Sequence, residues 1–386
     1  MSTSFVEIAG YSPERRVRTK KHLSPFEPEQ IWVDQSIENH PEVLRLLNSL
    51  RDVEIDVVED VSRIHIPSTL DIAKQQLILT KQKGRVLRPP LGTKTRDIDL
   101  EIASMMGTPY ECSYCPLQLY LREHPIPHLS VDIETIFEEM SSFLDKHPDQ
   151  FFRIGCGEYH DPLVFDSLTG FASLLIAFFA GKQNAFLELK TRMTNIDHLL
   201  SLRHCKHTIL SWYLNTPEII ASEERGTTSF EERLDAASRA VHAGYRIAFH
   251  LDPIILLRSD GEEMENYLQV IEKIFERFSL EHIAWIQMGL LRYPKELPEI
   301  AKERFPSTRI FTGEVFLDGN IMRAPRFIRE ASYRPLWEKL KTKLPSEKIF
   351  FSAETIQVCE KFDPAITSPG IREQRLRNSI IKPFAY

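Results

Sequence analysis

The feature that most constrains this chain is a repeated switch of hydrophobic period. Short apolar runs recur at about 101–107, 151–156, 185–190, 208–214, 246–251 and 282–290. Most are followed by a segment whose apolar residues return every three or four positions. Asp132 opens one such segment, with Ile133, Ile136, Phe137, Met140, Phe143 and Leu144 on one stripe. Leu168, Phe171, Leu174, Leu175 and Phe178 mark the next, closed by Gly181. Ser229 with Glu232 forms a capping box ahead of Leu234, Ala237 and Val241, and Asp260 with Glu263 starts a helix through Phe275. Short helices are expected at Ile196–Leu202 and Glu296–Arg304. Strand–helix alternation of this kind forces parallel pairing with right-handed crossovers. Six units predict an α/β fold, a partial (β/α)6 TIM-like barrel whose functional groups lie just after each strand.

The flanks read differently. Ile31-Trp32-Val33, a helix over Pro41–Ser49 and a strand over Val53–Val58 make a small N-terminal α/β unit. Toward the C-terminus, Ile310–Phe316 reads as a strand, Arg334–Leu344 as a helix and Ile349–Ser352 as a last strand. The expected organisation is an N-terminal α/β domain with a basic linker over 1–92, the barrel over 93–345, and a C-terminal strand and tail over 346–386.

Composition narrows the class. The 386 residues are 42% hydrophobic and 27% charged, ordinary for a soluble globular protein. No apolar run reaches the ~18 residues of a membrane span, and the N-terminus lacks a basic segment leading into an apolar core. Five cysteines do not make a disulfide scaffold, so a reducing cytoplasm is the expected compartment. The net charge of −7 gives no global pull toward nucleic acid. Two basic stretches stand out locally. Arg15–His22 reads as a solvated arm, with a phosphate-contacting arm as the sharper alternative, and Lys81, Lys83, Arg85, Arg88, Lys94 and Arg96 crowd a Pro/Gly-containing segment that reads equally as a contact for an anionic substrate and as a solvated linker.

Chemistry concentrates at the strand ends. The first strand runs into Gly107-Thr108-Pro109-Tyr110-Glu111-Cys112-Ser113-Tyr114-Cys115-Pro116-Leu117-Gln118. A lone Cys-x-x-Cys leaves three readings open: a buried pair, a metal or cluster site, and a redox dithiol. The second strand ends in Gly155-Cys156-Gly157-Glu158-Tyr159-His160-Asp161, with carboxylates suited to an ammonium group. Lys190-Thr191-Arg192 ends the third with charge that can hold a carboxylate, Asn215 ends the fourth, and His250-Leu251-Asp252-Pro253 ends the fifth.

Taken in order, Cys112–Gln118, Gly155–Glu158, Asp197-His198-Leu199-Leu200, Gly226–Phe230, Ala243-Gly244-Tyr245 and Phe249–Ile254 resemble the spore photoproduct lyase family of radical S-adenosylmethionine enzymes, over roughly residues 25–360. The resemblance implies a 4Fe–4S cluster held by Cys-x-x-x-Cys-x-x-Cys, with S-adenosylmethionine chelated at the fourth iron and cleaved to start radical chemistry. It implies Cys112 and Cys115 as metal ligands, and Cys156 and Tyr114 as catalytic candidates. Glu158, Asp161, Arg192, Asn215 and Asp252 become candidate S-adenosylmethionine contacts, Glu158 at the methionine amino group and Arg192 near its carboxylate. The implied partners are S-adenosylmethionine and, through the 81–96 basic stretch, DNA or another anionic substrate.

This chain departs from that pattern twice. Thr108 stands at the first cysteine position, and a neutral hydroxyl is a poor ligand for iron in a sulfide cluster. Cys156 is the nearest thiol by topology. Glu158 falls where photoproduct lyase carries its hydrogen-donor cysteine, with Cys156 two residues off. Three functions follow: a radical enzyme of this family, a non-catalytic relative that binds a nucleotide, S-adenosylmethionine or nucleic acid, and, weakest given the acidic total, a nucleic-acid-interaction protein using the two basic stretches.

Overall fold

In the computed structural model the described residues are 26–50, 53–67, 69–90, 100–257 and 262–367, with 371, 374, 375, 377 and 378 beyond them. The basic run Arg15–His22, and Lys94 and Arg96 of the second stretch, lie outside these residues.

The larger sheet has eight strands. In spatial order they are β18 (Ile349–Phe351), β14 (Ile283–Leu290), β13 (Arg246–Ile254), β11 (Thr208–Tyr213), β10 (Ala185–Thr191), β9 (Phe152–Cys156), β5 (Leu100–Ile102) and β4 (Leu87–Arg88). All neighbours pair in parallel except β4 with β5. Helices cover one face and side chains fill the other, so the central strands are buried on both sides. Every residue of β10 and of β14 is buried. That is why these strands read as continuous apolar runs in the sequence and not as an alternation. The architecture is the expected partial barrel.

A second sheet has the order β2 (Glu54–Val58), β1 (Gln30–Asp34), β3 (Gln76–Thr80), β8 (His128–Ser130) and β6 (Met105–Met106). Its first three strands come from the N-terminal segment. β8 and β6 come from the stretch between β5 and β9. β8 lies parallel to β3, with Leu79 opposite Leu129. The helix Pro41–Ser49 ties this sheet to the barrel, since Arg45 Nη2 donates to the carbonyls of Leu168 and Thr169 at 3.1 and 3.0 Å.

Two small antiparallel pairings complete the strands. β7 (Glu111–Cys112) pairs with β12 (Glu224–Arg225). β15 (Arg292–Pro294), β17 (Ile321–Arg323) and β16 (Phe316–Asp318) form a three-stranded ribbon.

The helices follow their caps. Ser229 and Glu232 close a reciprocal capping box ahead of the helix Phe230–His242. The helix Ile133–Asp145 buries Ile136, Phe137, Met140 and Leu144, the expected stripe. Four expectations are corrected. Residues 196–202 form turns, not a helix. Residues 310–315 are not a strand, because Ile310-Phe311 sits in a turn, the chain bends at Gly313 and pairing starts at Phe316. The first strand ends at Ile102 and not at 107, and the chain then crosses to the second sheet. The helix expected from Arg334 starts at Arg326 and runs through Pro335, whose missing N–H costs one rung. Among the described residues, no helix is long and apolar enough to cross a membrane.

Candidate functional site at the strand carboxyl ends

The site is built around two buried acids that the sequence reading did not single out, Glu224 and Glu101. Glu224 is 2% exposed. It sits in β12 directly opposite Cys112 in β7. Its carboxylate accepts from Arg233 Nη2 at 2.8 Å and from the Tyr114 hydroxyl, and Arg192 Nε lies 3.7 Å away. Burial alone would raise its pKa, but Arg233 and Arg192 outweigh it and hold the carboxyl below its ordinary value. One charge therefore binds the cysteine loop to the ends of β10 and β11. The neighbouring Glu223 adds a second tie, its carbonyl accepting from Ser113 N–H at 3.0 Å and its carboxylate from the Ser113 hydroxyl.

Within this loop Cys112 is buried, and its thiol is pushed up to about 12, first by burial. Cys115 is half-buried, and its N–H donates to the Cys112 carbonyl at 3.2 Å, closing a turn that brings the two residues together. Cys115 and Thr108 line a cleft of about 10 Å3, the room of a single water. Arg304, from the helix Leu297–Arg304, reaches across to Gln118 Oε1 at 2.7 Å and to Glu111, fixing the outer side of the loop.

Glu101 in β5 is fully buried. Its Oε1 accepts the Glu158 N–H at 2.6 Å, and its Oε2 lies 3.8 Å from Lys190 Nζ. Lys190 also bonds Glu158 Oε1 at 3.2 Å. Burial pushes the Glu101 carboxyl up to about 8, with Lys190 opposing and Glu158 adding to the rise. Burial disfavours the Lys190 charge, yet Glu101 and Glu158 hold its pKa well above the usual value. Gly157 makes this packing attainable. At φ +144 its position for a Cβ would lie 2.4 Å from the Lys190 carbonyl.

The remaining candidates divide between the mouth and its supports. Arg192 lies over the Tyr213 ring at 4.0 Å. Asn215 Nδ2 donates to the Pro253 carbonyl at 3.1 Å, and its Oδ1 accepts from the Tyr267 hydroxyl. Asp252 pairs with Arg292 Nη1 at 2.9 Å. Asp161 is 3% exposed and accepts from Thr191 Oγ1, Arg192 N and Leu163 N at 2.7, 2.7 and 3.0 Å. Those bonds use its acceptor positions to join the loop after β9 to the end of β10, so Asp161 acts on the site through the backbone. Cys156 is fully buried and faces His160 Nε2 at 3.4 Å. Burial pushes its thiol well above the ordinary value and drives His160 down to about 3, which leaves an uncharged pair. Beneath the mouth, Arg153, Glu188 and His250 form a buried ionic layer. Glu188 accepts from Arg153 Nη2, Ser211 Oγ and His250 Nε2, each at 2.7 Å.

The donor set does not fit a cluster held by three thiolates. The loop offers two thiols and one threonine hydroxyl, and among the described residues no three His, Cys, Asp or Glu side chains converge on a metal-binding point.

A parallel half-barrel with its cysteine loop and charged strand ends in one mouth is the fold class of the radical S-adenosylmethionine proteins. A family model described as spore photoproduct lyase matches residues 26–315. The chain belongs to the spore photoproduct lyase family. It is 24% identical over 296 residues to the spore photoproduct lyase of Geobacillus sp. (strain Y412MC61), covering 75% of this chain and 85% of that protein. The Bacillus subtilis (strain 168) spore photoproduct lyase is 23% identical over 297 residues, covering 74% and 85%. The fold matches a mutant spore photoproduct lyase with bound AdoMet and dinucleoside spore photoproduct at TM-score 0.75 and 20% identity, over 85% of this chain and 98% of that one. A spore photoproduct lyase complexed with dinucleoside spore photoproduct matches at TM-score 0.74 and 20% identity, with the same coverage.

Proposed function

We propose that this chain is a ligand-binding member of its family that does not build a three-thiolate iron–sulfur cluster from its own side chains. The family is one of radical S-adenosylmethionine repair of DNA photolesions. Solved relatives are named as binding AdoMet and dinucleoside spore photoproduct, and these are the ligand classes carried over here. Arg192 above Tyr213, with Asn215, Glu158 and Lys190 nearby, offers a mixed-charge mouth suited to a nucleoside and an amino-acid group. Exposed Lys81, Lys83 and Arg85 offer phosphate contacts, and Arg88 holds that turn by donating to the Lys83 and Arg85 carbonyls at 3.0 and 2.9 Å.

The observation that carries the reading is Thr108 in the place of a thiolate. The test is iron and sulfide analysis after anaerobic reconstitution, for the natural chain and for Thr108→Cys, together with calorimetry of S-adenosylmethionine binding. The variant is expected to gain iron and sulfide that the parent lacks, while the parent binds S-adenosylmethionine without cleaving it under strong reductant. A parent that takes up a full complement of iron and sulfide and releases 5′-deoxyadenosine refutes the reading. The turn joining Cys112 to Cys115 favours a second reading, cluster-dependent S-adenosylmethionine cleavage with a third donor from elsewhere. In that reading Cys112→Ala abolishes the brown colour of the reconstituted parent.

A further inference from the structure

Away from the mouth, a cavity of about 90 Å3 lies outside the ends of β11 and β13. That is roughly six times the ~15 Å3 needed for one water. Its walls come from the helix Pro217–Glu223, the loop after β13 and the helix Glu262–Arg277. Tyr267 lines it and separates it from the site described above, since the Tyr267 hydroxyl donates to Asn215 and accepts from the Ile255 N–H at 2.8 Å.

Glu263 is the group that calls for a ligand. It is 8% exposed and lines the cavity, and among the described residues its buried Oε2 has no hydrogen-bond partner. The capping box expected between Asp260 and Glu263 is half outside the described residues, and Glu263 turns toward the cavity. An ionised carboxylate only accepts, so its complement must bring N–H or O–H donors. Buried polar atoms in folded proteins are seldom left without a partner.

The rest of the lining narrows the class. Glu218 adds a second carboxylate, and among the described residues Arg309 is the only cation lining the cavity, exposed at its edge. Net negative charge favours a cation. Thr216 and Asn266 add a hydroxyl and an amide. Ile219, Ile255 and Leu257 supply an apolar wall that a bare metal ion cannot use but a methylene chain can. A metal is further disfavoured because, among the described residues, no three His, Cys, Asp or Glu side chains converge.

We infer that this cavity binds a compact aliphatic amine, its ammonium group donating to Glu263 Oε2 and its methylenes packing on Ile219 and Ile255. The site is independent of the function proposed above, because neither Thr108 nor the cysteine pair takes part. Putrescine is the probe, titrated into the full chain by calorimetry at fixed ionic strength and alongside thermal unfolding. Saturable one-to-one binding is expected. Glu263→Gln, which keeps size and removes charge, should weaken it by about ten-fold or more. Putrescine should raise the unfolding temperature of the natural chain and not that of Glu263→Gln. Arg309→Gln should bind at least as tightly as the natural chain, since a like charge has been removed. No saturable heat at millimolar putrescine, or equal affinity in the natural chain and Glu263→Gln, overturns the inference. Weakening by Arg309→Gln as large as that by Glu263→Gln overturns the amine class, since it shows that the ligand carries an anionic group.

Discussion

Glu224→Gln is the perturbation that most directly tests how the cysteine loop is held. The carboxylate is 2% exposed and is shared by Arg233, Arg192 and Tyr114. Glutamine keeps one acceptor but loses the charge and adds an N–H2 facing donors. Removing one partner of a buried ion pair costs about 3–5 kcal/mol. The lower end applies here. Arg233 keeps bonds to the Thr228 and Tyr213 carbonyls, both at 2.9 Å, and to Thr227 Oγ1 at 2.7 Å. Unfolding entropy of about 2.1 cal/mol/K per residue gives roughly 0.8 kcal/mol/K for 386 residues. A loss of about 3 kcal/mol then lowers the unfolding temperature by about 4 °C. Thermal unfolding followed by far-ultraviolet circular dichroism at pH 7 reads this. The sign with pH is fixed. The folded pKa of Glu224 lies below its ordinary 4.5, so its contribution is present above that value and is lost as pH falls through the folded pKa. The gap between natural chain and variant should narrow on acidification. A shift under 1 °C at pH 7, or a gap that widens in acid, refutes the assignment of this carboxylate as the loop's anchor.

Other outcomes follow from single contacts. Gly157→Ala forces a Cβ to within 2.4 Å of the Lys190 carbonyl at positive φ and should cost about 2–4 kcal/mol in chemical denaturation; a neutral result means the β9–β10 spacing is wrong. Glu101→Gln keeps the acceptor for the Glu158 N–H and removes a carboxyl raised to about 8 in the fold. A raised carboxyl contributes most below its ordinary pKa, and that stability is lost as pH rises through the folded value. The variant should therefore gain on the natural chain as pH rises from about 5 to about 9, and parallel pH–stability curves argue against it. Native thiol labelling at mildly alkaline pH should modify exposed Cys205 first and half-buried Cys115 next, leaving Cys112, Cys156 and Cys359 protected; fast labelling of Cys156 contradicts its buried pairing with His160. Trp285→Ala removes a fully buried ring that carries the Arg153 guanidinium 4.2 Å from its centroid, and should cost about 3–5 kcal/mol.

The barrel was legible because its strands are buried on both faces and its helices carry strong stripes and caps. Phe152–Cys156, Ala185–Thr191 and Thr208–Tyr213 fall within a residue or so of the apolar runs. β7, β8 and β12 left no such trace. They are two or three residues long, and their pairing joins segments about a hundred residues apart in the case of Cys112 with Glu224. Local pattern carries no information about that separation. The same limit hid Glu101 and Glu224. Each is a single acid among many in the sequence, and only burial beside Lys190 or Arg233 sets it apart. The helix expected from Arg334 erred in the opposite direction, since its first two turns, Arg326 to Tyr333, precede Pro335, which lies inside the helix. The charged strand ends were legible as residue types; which of them bond one another was not, and Asp161 proved to be spent on two backbone N–H groups and the Thr191 hydroxyl.

One feature of the topology reaches further than the site. The chain leaves the barrel at Ile102 and next pairs at Met105–Met106 and then at His128–Ser130, both in the other sheet, so residues 107–127 form a strap with both ends fastened in that sheet and its β7 paired with β12. The sulfur pair sits on that strap. Contacts made on the N-terminal sheet therefore set both ends of that strap, while β12 holds it at Cys112. A chain cut after residue 92 would also strip β8 of its neighbour β3, leaving an open edge on the sheet that holds both ends of the strap.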